Sequence, residues 1–225
     1  MSWKTAYRSF YYQNAPQPKD PHLPWSKTAL LCIDVQNYSL IAHDDPAERL
    51  RWKPFRRRMR ELVIPNIAAL QQDFRARGID VLHARIACLL NDGRDRSLSQ
   101  KMPGWNNLLM LRSSPISQIV DECAPVRDEI VVTKTTDSAL TGTNLRLLLT
   151  NMGIVNVIVV GIYTDQCISS TVRGLADESF QVIVLDDCCA AGTDDLHQRE
   201  LEILNCIYCQ VMTRQELNAI MRIEG

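Results

Sequence analysis

Residues Asn156–Thr171, NVIVVGIYTDQCISST, leave few folds open to this chain. Val157–Val160 is a continuous apolar run, mostly β-branched and bounded by polar residues, which suits a strand buried on both faces, as in a parallel sheet. Gly161 is expected to end that strand, because a backbone without Cβ can turn sharply. A short polar turn leads to Cys167, after which Ile168, Val172, Leu175 and Ala176 recur at helical spacing. The pattern predicts a strand, a tight turn, and a helix whose first turn carries a thiol. Unpaired N–H groups at such a turn favour the thiolate, and the same amides can hold a developing oxyanion. Cys167 is therefore a candidate nucleophile; the alternative is a small core residue, the usual role of a buried free cysteine.

The chain has 225 residues, 46% of them hydrophobic, and a formal net charge of −1. One α/β domain can bury a core over that length. Balanced charge offers no field for nucleic acid, and no apolar run approaches a membrane span, so neither partner is expected. The N-terminal stretch MSWKTAYRSFYYQNAPQPKD has aromatics and charges but no signal-peptide core, which predicts a cytoplasmic protein. Its eight cysteines then read as reduced thiols. Cys206 and Cys209 form a lone C-x-x-C without a second pair or a nearby histidine; with the adjacent Cys188 and Cys189, they read as structural. Neither G-x-G-x-x-G nor G-x-x-x-x-G-K occurs, and no histidine cluster suggests a metal, so no cofactor and no metal are expected.

Taken in order, residues 1–26 read as an aromatic arm that packs on the domain or on a neighbouring subunit, ahead of a single domain over 27–225. Thr28–Asp34 is the first buried strand, and Asp34 ends it, where open α/β sheets place their sites; the other reading of Asp34 is a turn or cap residue. Pro54–Arg77 reads as one long helix that Pro65 would kink or divide. Near its start Lys53, Arg56, Arg57 and Arg60 share a face, which reads as a solvated or intersubunit stripe. Ile79–Arg85 is a second strand, whose His83 reads as a core histidine bonded to backbone rather than a ligand. Residues 86–128 lack periodicity and suggest a lid or binding segment with Trp105 as its apolar anchor. Glu129–Lys134 is a third strand, and Lys134 at its end can reach solvent or turn inward. A helix over Thr141–Gly153, a strand over Gln181–Asp187, a helix over Thr193–Leu204 and a strand over Ile207–Met212 follow. The last helix opens with a capping box of Thr213 and Glu216. Strands alternating with helices predict a three-layer α/β/α fold on a parallel sheet of six strands.

Three strand ends thus offer Asp34, Lys134 and Cys167, and in a doubly wound sheet all three can converge on one crevice. Their chemistry is coherent: Asp34 takes the thiol proton, the thiolate attacks a carbonyl carbon, and Lys134 orients both. If Asp34 is the base, replacing it with Asn should leave Cys167 slow to alkylate.

The segments LLCIDVQN, EIVVTK with TDSALTGTNLRLLL, and VVGIYTDQCISSTVRGLADE resemble, in order and spacing, the three signature regions of the isochorismatase-like cysteine hydrolase family. The resemblance spans residues 27 to about 215, and its third segment, G-x-x-T-x-x-C-x-x-x-T, is specific. It implies Asp34, Lys134 and Cys167 as base, lysine and nucleophile. It also implies a cis peptide between Ile162 and Tyr163 that aims the amide of Tyr163, with that of Cys167, at an oxyanion. Family members that cleave isochorismate lack the cysteine, so amide hydrolysis is favoured here. Nicotinamidases carry an Asp-x-His and a further His that bind metal, and HARIACLLNDGRD lacks that pattern. The metal-free branch remains, with hydrolases of biuret, triuret, ureidoacrylate and N-carbamoyl compounds. The PGW before Leu108 and DDCCAA (Asp186–Ala191) look most like the biuret and triuret hydrolases. Where such members have D-x-Q-x-D-F, this chain reads DVQNYS, so Tyr38 replaces a common acid. Position in or near the motifs makes Gln36, Asn37, Tyr38, Arg85, Trp105, Ile162, Tyr163 and Gln166 candidates for contact with a small amide or ureide. A homo-oligomer, dimer or tetramer, is also expected. The competing readings are a silent scaffold of this fold, or a nicotinamidase-like or other aliphatic amidase.

Overall fold

A computed structural model describes residues 2–104 and 107–221 of the chain; the predicted anchor Trp105 lies outside the described residues. Six strands form one parallel sheet: β1 (Thr28–Ile33), β2 (Asp80–Ile86), β3 (Val131–Lys134), β4 (Asn156–Ile162), β5 (Gln181–Ala190) and β6 (Gln210–Met212). Their spatial order is β3-β2-β1-β4-β5-β6. The described α-helices are α1 (Pro46–Arg51), α2 (Lys53–Arg58), α3 (Ile64–Ala76), α4 (Leu145–Asn151), α5 (Ser169–Asp177), α6 (Asp194–Leu204) and α7 (Arg214–Met221), with short 3-10 and π turns between elements.

Side-chain alternation splits the core into two layers. Leu30, Cys32, Ile158, Val160, Ile183 and Leu185 face α2, α3 and α7, where they meet Phe55, Met59, Ile67, Phe74 and Leu217. Leu31, Ile33, Ala84, Val157, Val159 and Val184 face α4, α5 and α6, against Leu145, Leu149, Val172, Leu175 and Leu201. Every residue of β1 and of β4 is buried, as their unbroken apolar runs require.

The helix expected over Pro54–Arg77 is not continuous. It runs as α2, a wider π turn at Met59–Val63, and α3, with Pro65 in the first turn of α3. Proline has no N–H to donate and is accepted at a helix start; the π turn re-spaces the chain so that Pro65 falls there. The basic stripe is interrupted as well. Arg56 is buried and donates to the Arg49 carbonyl, whereas Lys53, Arg57 and Arg60 are exposed. His83 bonds the Glu129 carboxylate at 3.2 Å instead of backbone.

β4 does not end at Gly161 but continues through it to Ile162. Gly161 pairs with Ile33 of β1 at φ 121°, where a Cβ would stand 1.9 Å from the Ile33 carbonyl oxygen. The glycine is needed for the approach of two central strands more than for a turn. β5 outlasts its expected end at Asp187, because its pairing with β4 slips by three residues between Val159↔Val184 and Gly161↔Cys189. Asp186 and Asp187 lie in that slip. The arm is sewn to the domain: the Trp3 amide donates to Glu216, and Asn205 Nδ2 donates to the carbonyls of Ala6 and Tyr7. The capping box forms as expected, Glu216 N to Thr213 Oγ1 and Thr213 N to Glu216 Oε2. No described helix is long and apolar enough to cross a membrane.

Candidate active site

The order of the sheet reverses between β1 and β4, and a crevice opens beyond their carboxyl ends at such a switch point. Asp34 follows β1 directly, in a left-handed conformation (φ 54°) that Asp tolerates, with its amide held by the Ala84 carbonyl of β2. Cys167 follows β4 in a π turn, Thr164–Ile168, that leads into α5. Lys134 ends β3, two strand spacings or about 10 Å from β1. Only a long side chain laid inward across the sheet end spans that gap.

Lys134 takes this inward course, and the three strand ends converge. Its Nζ lies 2.7 Å from Asp34 Oδ2, 3.3 Å from Cys167 Sγ and 3.0 Å from the Thr136 carbonyl. An ammonium has three donors, so Lys134 is saturated by the protein and serves the trio rather than the ligand. Its side chain is fully buried and that of Asp34 nearly so. Burial opposes the charge on Lys134, but Asp34 and Cys167 outweigh it and hold the amine above its ordinary value. Burial likewise raises Asp34 against the opposing pull of Lys134, giving a carboxylate with unusual appetite for a proton. Its second oxygen, Oδ1, is buried without a hydrogen-bond partner and is the acceptor left over.

A helix start favours an acidified thiol, and burial acts against it here. Burial raises Cys167 well above the ordinary thiol value, the Asp34 charge adds to the rise, and Lys134 only partly offsets them. A proton acceptor is required before Cys167 can attack.

The turn that carries Cys167 is anchored at both ends. Thr164 Oγ1 bonds His197 Nδ1 at 2.8 Å, and His197 Nε2 reaches Asp186 Oδ1 at 2.7 Å. Asp186 also accepts from the Tyr7 hydroxyl of the arm at 2.6 Å and pairs with Arg58 at 3.2 Å. Farther on, Thr171 Oγ1 donates to the Cys167 carbonyl at 2.7 Å and accepts from the Ala139 amide at 2.9 Å. The peptide between Ile162 and Tyr163 is cis. The Tyr163 amide donates to none of the described residues.

The remaining residues singled out in the sequence separate by what their side chains do. Gln36 is buried and spent on structure: Nε2 donates to the carbonyls of Ile86 and Ser117, and Oε1 accepts from the Ile86 amide. Asn37 donates to the Pro115 carbonyl. Arg85 alternates with Lys134's neighbour Ile86, so it leaves the sheet on the opposite face, toward Thr133 and Gln118. Ile162 is core, packed with Ile158, Val160 and Leu185. Gln166 is exposed on the nucleophile turn. Tyr38 and Tyr163 border a cavity of about 270 Å³ that Trp52, Phe55, His43 and Ile116 also line. The Tyr163 ring lies 5.1 Å from Phe55 and 6.1 Å from Trp52, and burial holds its hydroxyl above the ordinary phenol value.

Two residues went unnoticed in the sequence. Asp137, three positions past Lys134, places Oδ1 3.8 Å from Cys167 Sγ. Gln100, from the irregular segment after β2, donates to that same oxygen at 2.6 Å. The polar run TTDS after Lys134 was a signal that the chain stays irregular beside the strand end, but nothing local aims Asp137 at the thiol. Among the described residues no His, Cys, Asp and Glu group is arranged to hold a metal ion.

The doubly wound parallel sheet, with an aspartate, a lysine and a cysteine gathered at its switch point, is a three-layer α/β/α architecture of the isochorismatase-like hydrolases. The Isochorismatase domain matches residues 28–216, and the chain belongs to that family. It is 28% identical over 199 residues to a ureidoacrylate amidohydrolase of Acinetobacter baylyi, covering 82% of this chain and 80% of that protein. It is 31% identical over 131 residues to an N-carbamoylsarcosine amidase of Arthrobacter, 55% of this chain and 48% of the relative. In structure it resembles an isochorismatase family protein of Desulfovibrio vulgaris, with a TM-score of 0.71 and 26% identity over 87% of this chain and 98% of the other.

Proposed function

We propose that this protein is a cysteine-dependent amidohydrolase that cleaves a C–N bond outside peptides, in a small linear amide or ureide, through a thioester. The observation that carries the reading is the buried bridge in which Lys134 touches Asp34 at 2.7 Å and Cys167 at 3.3 Å. Such a triplet costs desolvation without an evident structural return, whereas it supplies each step of amide cleavage. Asp34 Oδ1 accepts the thiol proton, and the thiolate adds to the carbonyl carbon while the Tyr163 and Cys167 amides receive the oxyanion. Asp34 then passes its proton to the departing nitrogen, leaving an acyl thioester on Sγ. Water, deprotonated by Asp34, adds to the thioester, and collapse returns the thiol and releases the acid. Lys134 stays cationic throughout and holds the two partners in register. The similarity to amidohydrolases of ureidoacrylate and N-carbamoylsarcosine supports a carbamoyl or ureido substrate.

The test is ammonia release from biuret, triuret, ureidoacrylate, N-carbamoylsarcosine, nicotinamide and simple aliphatic amides, with Cys167→Ala as the blank. Turnover of one ureide that vanishes in Cys167→Ala, with unchanged circular dichroism, is the expected result. Hydrolysis retained by pure Cys167→Ala sinks the mechanism.

A further inference from the structure

The nucleophile has a second carboxylate beside it. Asp137 Oδ1 is 3.8 Å from Cys167 Sγ and is held there by Gln100 Nε2 at 2.6 Å. Unlike Asp34, Asp137 forms no ion pair among the described residues and is only half buried; its Oδ2 accepts no hydrogen bond from any of them. The nearby cation is already committed, since the donors of Lys134 go to Asp34, Cys167 and Thr136. The reacting centre thus sets two aspartates, Asp34 and Asp137, beside one lysine and one thiol.

Geometry then dictates what meets Asp137. A carbonyl carbon poised for attack stands about 3–3.5 Å from the sulfur. Its substituents, one bond farther of about 1.3 Å for C–N, fall within hydrogen-bond reach of a carboxylate so close to that sulfur. An N–H group there finds a strong acceptor; a carboxylate there meets like charge. Resting on the reading of Cys167 as the nucleophile, we propose that Asp137 is a specificity-determining residue: it accepts an N–H donor attached beside the reacting carbonyl, as in urea-type groups, and repels an anion placed there. The negative charge of Asp137 also opposes formation of the thiolate, so a donor that engages Asp137 eases deprotonation of Cys167 at the moment of binding. Ureidoacrylate and N-carbamoylsarcosine, on which the relatives act, each carry a carboxylate. For this chain a substrate whose N–H groups face Asp137 is favoured over one that presents its carboxylate at that point.

The test uses two alkylating probes of the same size, neutral iodoacetamide with its NH₂ donor and anionic iodoacetate. Labelling of the Cys167 peptide is followed by mass spectrometry, and the exposed Cys206 serves as internal reference. Normalised to Cys206, the iodoacetamide-to-iodoacetate rate ratio at Cys167 should be about tenfold or more higher in the wild type than in Asp137→Asn, the scale of one charge-assisted hydrogen bond. Asp137→Asn should also label faster with both reagents. A ratio that Asp137→Asn leaves unchanged, while Cys167→Ala is inactive, overturns this proposal alone. Turnover surviving in Cys167→Ala overturns the nucleophile reading beneath it, and so does failure of both reagents to label Cys167 in wild type and Asp137→Asn alike.

Discussion

Lys134→Met separates the energetic from the catalytic role of the trio. The substitution keeps most of the stem and removes the cation, leaving Asp34 buried with Oδ1 already unpaired and Oδ2 newly so. Both side chains are shielded, at 0% and 8% exposure, so solvent screens little of the loss. Breaking a buried pair from one side costs about 3–5 kcal/mol. The sign with pH follows from Asp34. Burial already raises its proton affinity with Lys134 present, and removal of Lys134 takes away the strongest force in the other direction. The folded variant therefore binds a proton that the unfolded chain, with Asp near its ordinary value of about 3.9, has released. Stability of the variant falls as pH rises through the folded Asp34 value, and the full penalty appears only above it. Urea denaturation of wild type and Lys134→Met at pH 5 and pH 8 should give a gap that widens with pH toward about 3–5 kcal/mol. Asp34→Asn in the same background should recover most of that gap without restoring turnover. A gap below about 1 kcal/mol at both pH values would refute the idea that this is a desolvated, interdependent pair.

Further tests address single features. Asp34→Asn should abolish turnover yet speed alkylation of Cys167, because it removes the charge that raises the thiol and leaves Lys134 beside it; this inverts the sequence-based expectation, and slower alkylation would restore it. Gly161→Ala, whose Cβ would fall 1.9 Å from the Ile33 carbonyl oxygen, should cost more than about 4 kcal/mol; a wild-type melting temperature would contradict that contact. Phe10 and Tyr11 stand 82% and 84% exposed at the tip of the arm, and the protein is expected to sediment as a dimer or tetramer that Phe10→Ser with Tyr11→Ser weakens. A wild-type monomer in analytical ultracentrifugation would end that expectation.

Much of the site was legible from local signals. The apolar run of β1 stops at Asp34, the short run Val131–Val132 is followed within two residues by Lys134, and the β-branched run before Cys167 stops just short of it. For β1 and β3 the end of the apolar run marks the end of the strand, and parallel topology carries such ends to one edge of the sheet. The residues proposed to line the substrate pocket were less legible. Gln36 and Arg85 have the chemistry to bind a ligand, but their hydrogen bonds go to Ser117, Gln118 and Thr133. Those partners stand some 33–81 residues away in the chain, and no periodicity signals them.

The sequence by itself determined the alternation of strand and helix, the parallel sheet and the three residues at its edge, since burial pattern and chain turns are local properties. Only the tertiary structure decided the states of those residues. Burial against the layer of α4, α5 and α6 raises a thiol that its helix start alone would acidify, and Lys134 turns inward to a buried carboxylate when solvent was equally open to it. The pairing of β4 with β1 required Gly161, and the slip of β5 brought Asp186 to Tyr7 and His197. Packing of the segment after β2 brought Gln100 onto Asp137 beside the nucleophile. Each of these depends on the distance between groups far apart in the chain, and electrostatics and desolvation respond to that distance alone.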